Sequence, residues 1–180
     1  MDDLELVKQR VREAAVGLPP APWTLLGLME IVGITEVGFP EDSEVLLVLS
    51  GHSRELIDCR SGRRLARDTA MEHRSAWYGS HDLIGQGFGP AVGKQFRLAG
   101  AGGGGLASFA SDGWGAVRVP FDWPDEYLLL TSPFSSIRQP TASFWKLAAT
   151  RDPIAWGFSY TGDSLIAATG EGVTIFARAE

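Results

Sequence analysis

Cysteine, lysine and long apolar runs are scarce in this sequence. There is one cysteine, so an internal disulfide and a structural zinc site built on several thiolates are both excluded. No run reaches the roughly 18 apolar residues that a membrane-spanning helix needs, because residues 23–34 are interrupted by Thr24, two glycines and Glu30. Residues 1–5 lack the basic flank and apolar core of a signal peptide. We therefore expect a cytoplasmic protein that does not interact with membranes.

Positive charge is also in deficit. The 16 Lys and Arg residues are outnumbered by 22 Asp and Glu residues, which gives a net charge of −6. General nucleic-acid binding depends on neutralising phosphates, so we expect no nucleic-acid partner. Because 44% of the residues are apolar, the chain can offset the entropy lost on ordering, and its 180 residues suit a single domain. The 22 Gly and 10 Pro predict many turns between short elements.

An amphipathic helix is predicted over residues 2–16. Its apolar positions recur at steps of three and four residues: Leu4, Val7, Val11 and Ala14. Asp2 and Glu5 form an N-capping pattern, and Gly17 followed by a proline-rich hinge at residues 19–22 ends the helix. Beyond the hinge, short apolar runs alternate with polar turns over residues 23–180, which predicts a mainly β chain.

Three segments of this β region follow one pattern. Each has a phenylalanine, an acidic turn and an apolar strand, with seven positions from Phe to Leu: Phe39 to Leu46, Phe121 to Leu128, and Phe158 to Leu165. Phe88, followed by an apolar strand at residues 96–99, is a looser fourth member. Periods near 40 residues indicate a repeated supersecondary unit, and the first unit predicts strands at residues 45–50, 56–59 and 63–67.

The residues of these units carry a family resemblance. Phe39, Asp42, the strand at 45–49, Asp58 and Gly62 resemble a β-propeller blade of the WD-repeat kind, although no Trp-Asp dipeptide occurs. This resemblance implies a small propeller of four units, and the alternative is a helix-capped sandwich or a twisted meander.

Longer patterns are similar to a group of uncharacterised bacterial proteins of similar length. They include residues 56–68, 87–93 and 103–106. The similarity implies a bacterial cytoplasmic origin and no particular activity.

Glycine is concentrated at residues 100–105, which match G-x-G-x-x-G. A dinucleotide site needs a helix after this motif, but the following segment stops at Asp112-Gly113. We therefore expect a connector without a cofactor. A small ligand-binding or nucleotide-binding protein, or an enzyme, that uses this loop is the alternative.

Other chemistry-bearing residues form no catalytic or metal-binding pattern. His52, His73 and His81 are dispersed, and Cys59 is followed by Leu65 where a phosphatase loop needs arginine. The arginines at positions 60–74 are interpreted as a solvated hairpin edge. We predict no catalytic, cofactor or metal residues.

The candidate partner-binding residues lie in two acidic turns. They are Glu41, Asp42 and Glu44 in the first turn, and Asp122, Trp123, Asp125 and Glu126 in the second. If the repeat places these turns at one end, carboxylates and an exposed aromatic side chain would form a surface for a basic protein. The resulting hypothesis is a non-catalytic bacterial protein-binding module, such as an immunity or inhibitor protein for a basic toxin. A structural homo-oligomer joined through exposed strand edges is a further alternative.

Overall fold

The chain is mainly β, as the sequence predicts. A computed structural model describes residues 3–70, 77–79 and 82–179. The helix is α1 (Asp3–Glu13), and the strands are β1 (Trp23–Glu30), β2 (Ile34–Phe39), β3 (Val45–Ser50), β4 (Arg54–Asp58), β5 (Arg63–Asp68), β6 (Tyr78–Gly79), β7 (Ile84–Gln86), β8 (Gln95–Gly100), β9 (Gly115–Asp122), β10 (Asp125–Thr131), β11 (Phe144–Thr150), β12 (Pro153–Phe158), β13 (Ser164–Thr169) and β14 (Gly172–Arg178). Within these ranges, no helix has the length and apolar character to cross a membrane.

The strands form three antiparallel sheets. The first is four-stranded with the order β1-β14-β13-β12, and the second is three-stranded with the order β11-β10-β9. The third is seven-stranded with the order β5-β4-β3-β2-β8-β7-β6. Strand β1 pairs with β14, so the beginning and the end of the β region are joined in one sheet.

The Phe-to-Leu pattern corresponds to a hairpin in each of the three segments. The hairpins are β2–β3, β9–β10 and β12–β13, and their acidic residues lie in or beside the connecting turns. The predicted strands of the first unit are confirmed as β3, β4 and β5. Phe88 differs, because it precedes a short 3-10 helix (Gly89–Ala91) in the longer connection between β7 and β8.

The sheets are stacked in layers with the four-stranded sheet in the middle. On strand β13, Ile166 and Ala168 pack toward the seven-stranded sheet, whereas Leu165 and Ala167 pack toward the three-stranded sheet. This alternation follows from the two-residue period of a strand, and both faces are apolar because both are covered. The sheets therefore pack face to face, as in a β-sandwich. Because β2 pairs with β8, strands β2–β5 and strands β6–β8 form one sheet.

Helix α1 covers the outer face of the three-stranded sheet. Val7 and Val11 of the predicted apolar stripe are buried against Val119 and Leu129, whereas Leu4 of the same stripe is exposed. The helix ends at Glu13, three residues before the predicted end at residue 16, because Val16 forms a parallel bridge with Lys146 of β11.

The hinge connects this segment to β1. The backbone amide of Gly17 donates to the Lys146 carbonyl at 3.0 Å, and the amide of Trp23 donates to the Pro20 carbonyl at 2.9 Å, where β1 begins. The capping residue Asp2 lies outside the described residues.

Candidate functional site

The first acidic turn is neutralised by basic residues of the same chain. Glu41 pairs with Arg97 at 2.6 Å, and Asp42 pairs with Lys94 at 2.8 Å. The hydrogen bond from Lys94 lowers the pKa of Asp42 below its usual value. Both carboxylates are exposed, but each already has a cation beside it, so the turn offers a basic partner less charge than the sequence suggests.

Two of the predicted residues are buried. Glu44 and Glu126 occupy the same position of the repeat, five residues after its phenylalanine, and each is almost fully covered. Thr161 donates a hydrogen bond to Glu44 Oε1, and Arg118 lies 2.6 Å from Glu126 Oε2. A buried carboxylate is stabilised only by such partners. Glu126 therefore joins the paired strands β9 and β10, and Glu44 joins the turns of two hairpins from different sheets.

In the second turn, Asp122 fastens the helix to the sheet. Arg12 of α1 donates to Asp122 at 2.8 Å, and the Tyr127 hydroxyl donates to it at 2.6 Å. The bond from Arg12, followed by that from Tyr127, lowers the pKa of Asp122, while the same carboxylate raises the pKa values of Arg12 and Tyr127. These two hydrogen bonds stabilise the fold, and they account for the position of the Asp122 side chain.

The tip of the second turn is the part that remains available to a partner. Trp123 is 80% exposed, and Asp125 beside it pairs with Arg151 at 2.7 Å. An exposed tryptophan is a side chain that protein interfaces favour.

The two acidic turns lie at opposite ends of β12. Arg151, just before this strand, pairs with Asp125 of the second turn. Thr161, just after it, bonds to Glu44 of the first turn. Six residues of extended chain separate the two ends by about 20 Å. The expected single surface of clustered carboxylates therefore does not form, because the turn of the β9–β10 hairpin lies at the opposite end of β12 from the turn of the β2–β3 hairpin.

The glycine-rich loop is a tight connection after β8. The amides of Gly100 and Gly103 donate to each other's carbonyls at 3.0 Å, and Ala101 donates to Thr35 at 2.9 Å. Gly104 has a φ of +75°, and a Cβ there would collide with the Leu98 carbonyl. These amides are directed to carbonyls of the protein, and the chain continues without a helix, so the arrangement that a dinucleotide needs does not occur here.

The cysteine and the arginines of β5 have structural surroundings. Cys59 is buried, and desolvation raises the pKa of its thiol well above the usual value. Arg64 and Arg67 flank the buried carboxylate of Glu55 at 2.5 and 3.3 Å. No group of three or more His, Cys, Asp and Glu suited to a metal ion occurs among the described residues. His73 and His81 lie outside the described residues.

An apolar groove, which sequence reasoning missed, is the more distinctive surface. It lies between the segment before β9 and the segment after β10, and it has a volume of about 550 Å³. Phe109 and Phe134 flank it and are 66% and 87% exposed. Val117 and Ile137 contribute further apolar surface.

Phe134 is held in an unusual backbone conformation. Its φ is +57°, in the left-handed region that is costly for residues with a side chain. The Phe134 amide donates to the Gly113 carbonyl at 3.0 Å, and a Cβ on Gly113 would lie 2.7 Å from the Phe134 ring. The glycine therefore provides the space that the ring occupies. Left-handed residues with a side chain are enriched at functional sites, which makes Phe134 a candidate functional residue.

The rim of the groove is polar. Ser111, Ser135, Ser136 and Arg138 line it beside the two phenylalanines. This combination of aromatic side chains with hydroxyls and an arginine suits protein recognition, whereas it contains no nucleophile and general base held together by a hydrogen bond. In the sequence, the Ser- and Pro-rich segment at 132–140 indicates only a loop, so no local pattern identifies Phe134.

No protein-family model matches the chain, and no curated protein matches it.

Proposed function

We propose that this protein is a non-catalytic protein-binding module whose groove between Phe109 and Phe134 receives apolar side chains of a partner protein. The observation that carries the proposal is the left-handed conformation of the exposed Phe134. A solvent-exposed ring gains little from folding, so strain at this position is best explained by a role outside the fold.

The groove favours a polypeptide ligand. It is open at the surface, and its aromatic flanks are anchors of the kind that supply most of the binding energy in protein interfaces. The backbone of Phe134 is fixed by its hydrogen bond to Gly113, so a partner does not have to order this position of the chain, and this lowers the entropic cost of binding.

The finer hypothesis, an immunity or inhibitor protein for a basic toxin, rests on the net charge of −6. The acidic side chains have internal partners, so they would act at long range and accelerate association more than they would hold the complex. Asp125 is the better residue for testing this, since Asp122 fastens α1.

A random-peptide phage library, selected on the purified protein, tests the proposal. We expect the enriched peptides to be rich in aromatic and aliphatic residues. They should bind at least about tenfold more weakly to the double variant Phe109→Ser/Phe134→Ser, a loss of about 1.4 kcal/mol. The control is Val92→Ser, which removes another exposed apolar side chain, 75% exposed, away from the groove.

Two results would contradict the groove as the site. One is a selection without enrichment, and the other is equal binding to the double variant and to the wild type. For the basic-toxin hypothesis, the enriched peptides should carry Lys or Arg, and Asp125→Lys should weaken their binding more at low salt than at high salt.

The fluorescent dye 8-anilinonaphthalene-1-sulfonate is a second probe, because it reports accessible apolar surface. Its signal should fall in the double variant and stay unchanged in Val92→Ser.

A further inference from the structure

The outer edge of β1 is a second surface that the fold leaves exposed. Strand β1 is the terminal strand of the four-stranded sheet and pairs only with β14 in it. Leu25, Leu26 and Leu28 are exposed, and Leu28 is 59% exposed. No charged residue occurs in this strand before Glu30. An apolar, uncharged edge strand is a template for pairing with another strand.

Three of the other edge strands, β5, β11 and β12, are covered or charged. The outer strand of the seven-stranded sheet, β5, carries the arginines at positions 63, 64 and 67. The edge of β11 is bridged by Val16, and the edge of β12 is bridged by Ala107. Among the described residues, no segment bridges the outer edge of β1 and no charge precedes Glu30, so the bulge at Leu26 is the remaining device that opposes edge-to-edge association.

A bulge divides this edge into two short stretches. Leu25 lies opposite Phe176 of β14 and Gly27 opposite Ile175, so Leu26 is the extra residue. Leu28 lies opposite Thr174, two residues from Phe176. Phe176 and Thr174 are two residues apart on β14 and therefore share a face of the sheet. Leu25 and Leu28, which lie directly opposite them, project from that same face.

We propose that β1 pairs antiparallel with β1 of a second copy of this chain, with the two-fold axis at the bulge. This register places the stretch before the bulge of one copy against the stretch after the bulge of the other. Leu25 then lies opposite Leu28 of the second copy, and Thr24 lies opposite Met29. Both cross-strand contacts occur twice by symmetry, and no like charges oppose each other.

The ends of the paired strands add little electrostatic attraction. Trp23 lies opposite Glu30 of the second copy in this register. The Arg178 guanidinium lies 4.8 Å from the centre of the Trp23 ring. Arg178 already pairs with Asp112 at 2.7 Å, so its charge adds little attraction for the carboxylate of the second copy.

The interface is small, so the dimer is expected to be weak. A pair of eight-residue strands buries less surface than a standard stable interface of about 1,600 Å². Association should depend on protein concentration. This inference does not rest on the groove, which lies on a different part of the chain.

Analytical ultracentrifugation of the full chain over a range of concentrations tests the dimer. The wild type should shift from the monomer mass toward twice that mass, while Leu28→Arg should stay monomeric because two cations would enter the apolar contact. The control, Leu65→Arg, adds the same charge to an exposed leucine on β5 and should dimerise like the wild type. A wild type that stays monomeric, or a Leu28→Arg variant that dimerises equally, would overturn the proposal.

Cross-linking tests the register. Directly opposed Cβ atoms lie near the separation that a disulfide spans, so a mixture of Leu25→Cys and Leu28→Cys chains should form a cross-linked heterodimer under mild oxidation. Leu25→Cys alone should not, since its two copies lie three positions apart. Cys59 is buried and does not compete. Failure of the mixture to cross-link would overturn this pairing.

Discussion

Replacement of Phe134 separates stability from binding. Ordinarily alanine is more stabilising than glycine in regular structure, by about 0.5–1 kcal/mol, because glycine loses more backbone entropy on folding. At Phe134 the φ of +57° reverses this order. A left-handed conformation costs an alanine about 1–2 kcal/mol and costs a glycine almost nothing. We therefore expect Phe134→Gly to be more stable than Phe134→Ala by about 0.5–1 kcal/mol.

Both variants lose little by removal of the ring. The side chain is 87% exposed, so about 25 Å² of the roughly 200 Å² of a phenylalanine is covered, which is worth about 0.6 kcal/mol. The free energy of unfolding of Phe134→Gly should thus stay within about 0.5 kcal/mol of the wild type, because the lost contact and the extra backbone entropy that glycine loses on folding together offset the relief of strain. Dye binding at the groove should fall in both variants.

Urea unfolding of the four variants Phe134→Ala, Phe134→Gly, Val92→Ala and Val92→Gly is the assay. Val92 is exposed but has a φ of −51°, so alanine should be the more stable residue there. The reasoning is refuted if alanine equals or exceeds glycine at Phe134 as it does at Val92.

Three further expectations concern the described contacts. Asp122→Asn should lower the free energy of unfolding at neutral pH. The difference from the wild type should shrink as pH falls through the depressed pKa of Asp122, because the folded wild type then loses its ion pair. Urea midpoints between pH 7 and pH 3 measure this difference, and a difference that stays constant would contradict the expectation. Gly104→Ala should destabilise the protein by more than about 2 kcal/mol, because the backbone is left-handed there and the added Cβ would collide with the Leu98 carbonyl. Gly105→Ala is the control and should change the Tm little, because the space around that Cβ is open. Equal Tm values for the two variants would contradict this expectation. Cys59 should resist thiol reagents in the folded protein and react on unfolding, as absorbance of a released chromophore would show; rapid native labelling would contradict its burial.

The hairpins were predictable because their signals are local. A phenylalanine, an acidic turn and an apolar run lie within a dozen residues, and each of the three segments forms the expected turn. Helix α1 was predictable for the same reason, since Val7 and Val11 fall on one face. Its end was not, because pairing of Val16 with β11 involves a strand more than a hundred residues away.

The partner-binding residues show the limit of such reasoning. Their charge is visible in the sequence, but the cations that neutralise them are distant in it: Arg97 for Glu41, and Arg12 for Asp122. Similarly, nothing near Phe134 in the chain predicts that Gly113 accommodates its ring.

The sequence by itself determined a mainly β chain with one amphipathic helix and repeated hairpins, because periodicity and turn residues act over short distances. Only the tertiary structure decided which sheets the hairpins join, which carboxylates become buried, and which apolar side chains remain outside. Those outcomes depend on long-range packing, which places β1 at the open edge of the sheet formed by β12–β14 and leaves the groove beside Phe134 uncovered.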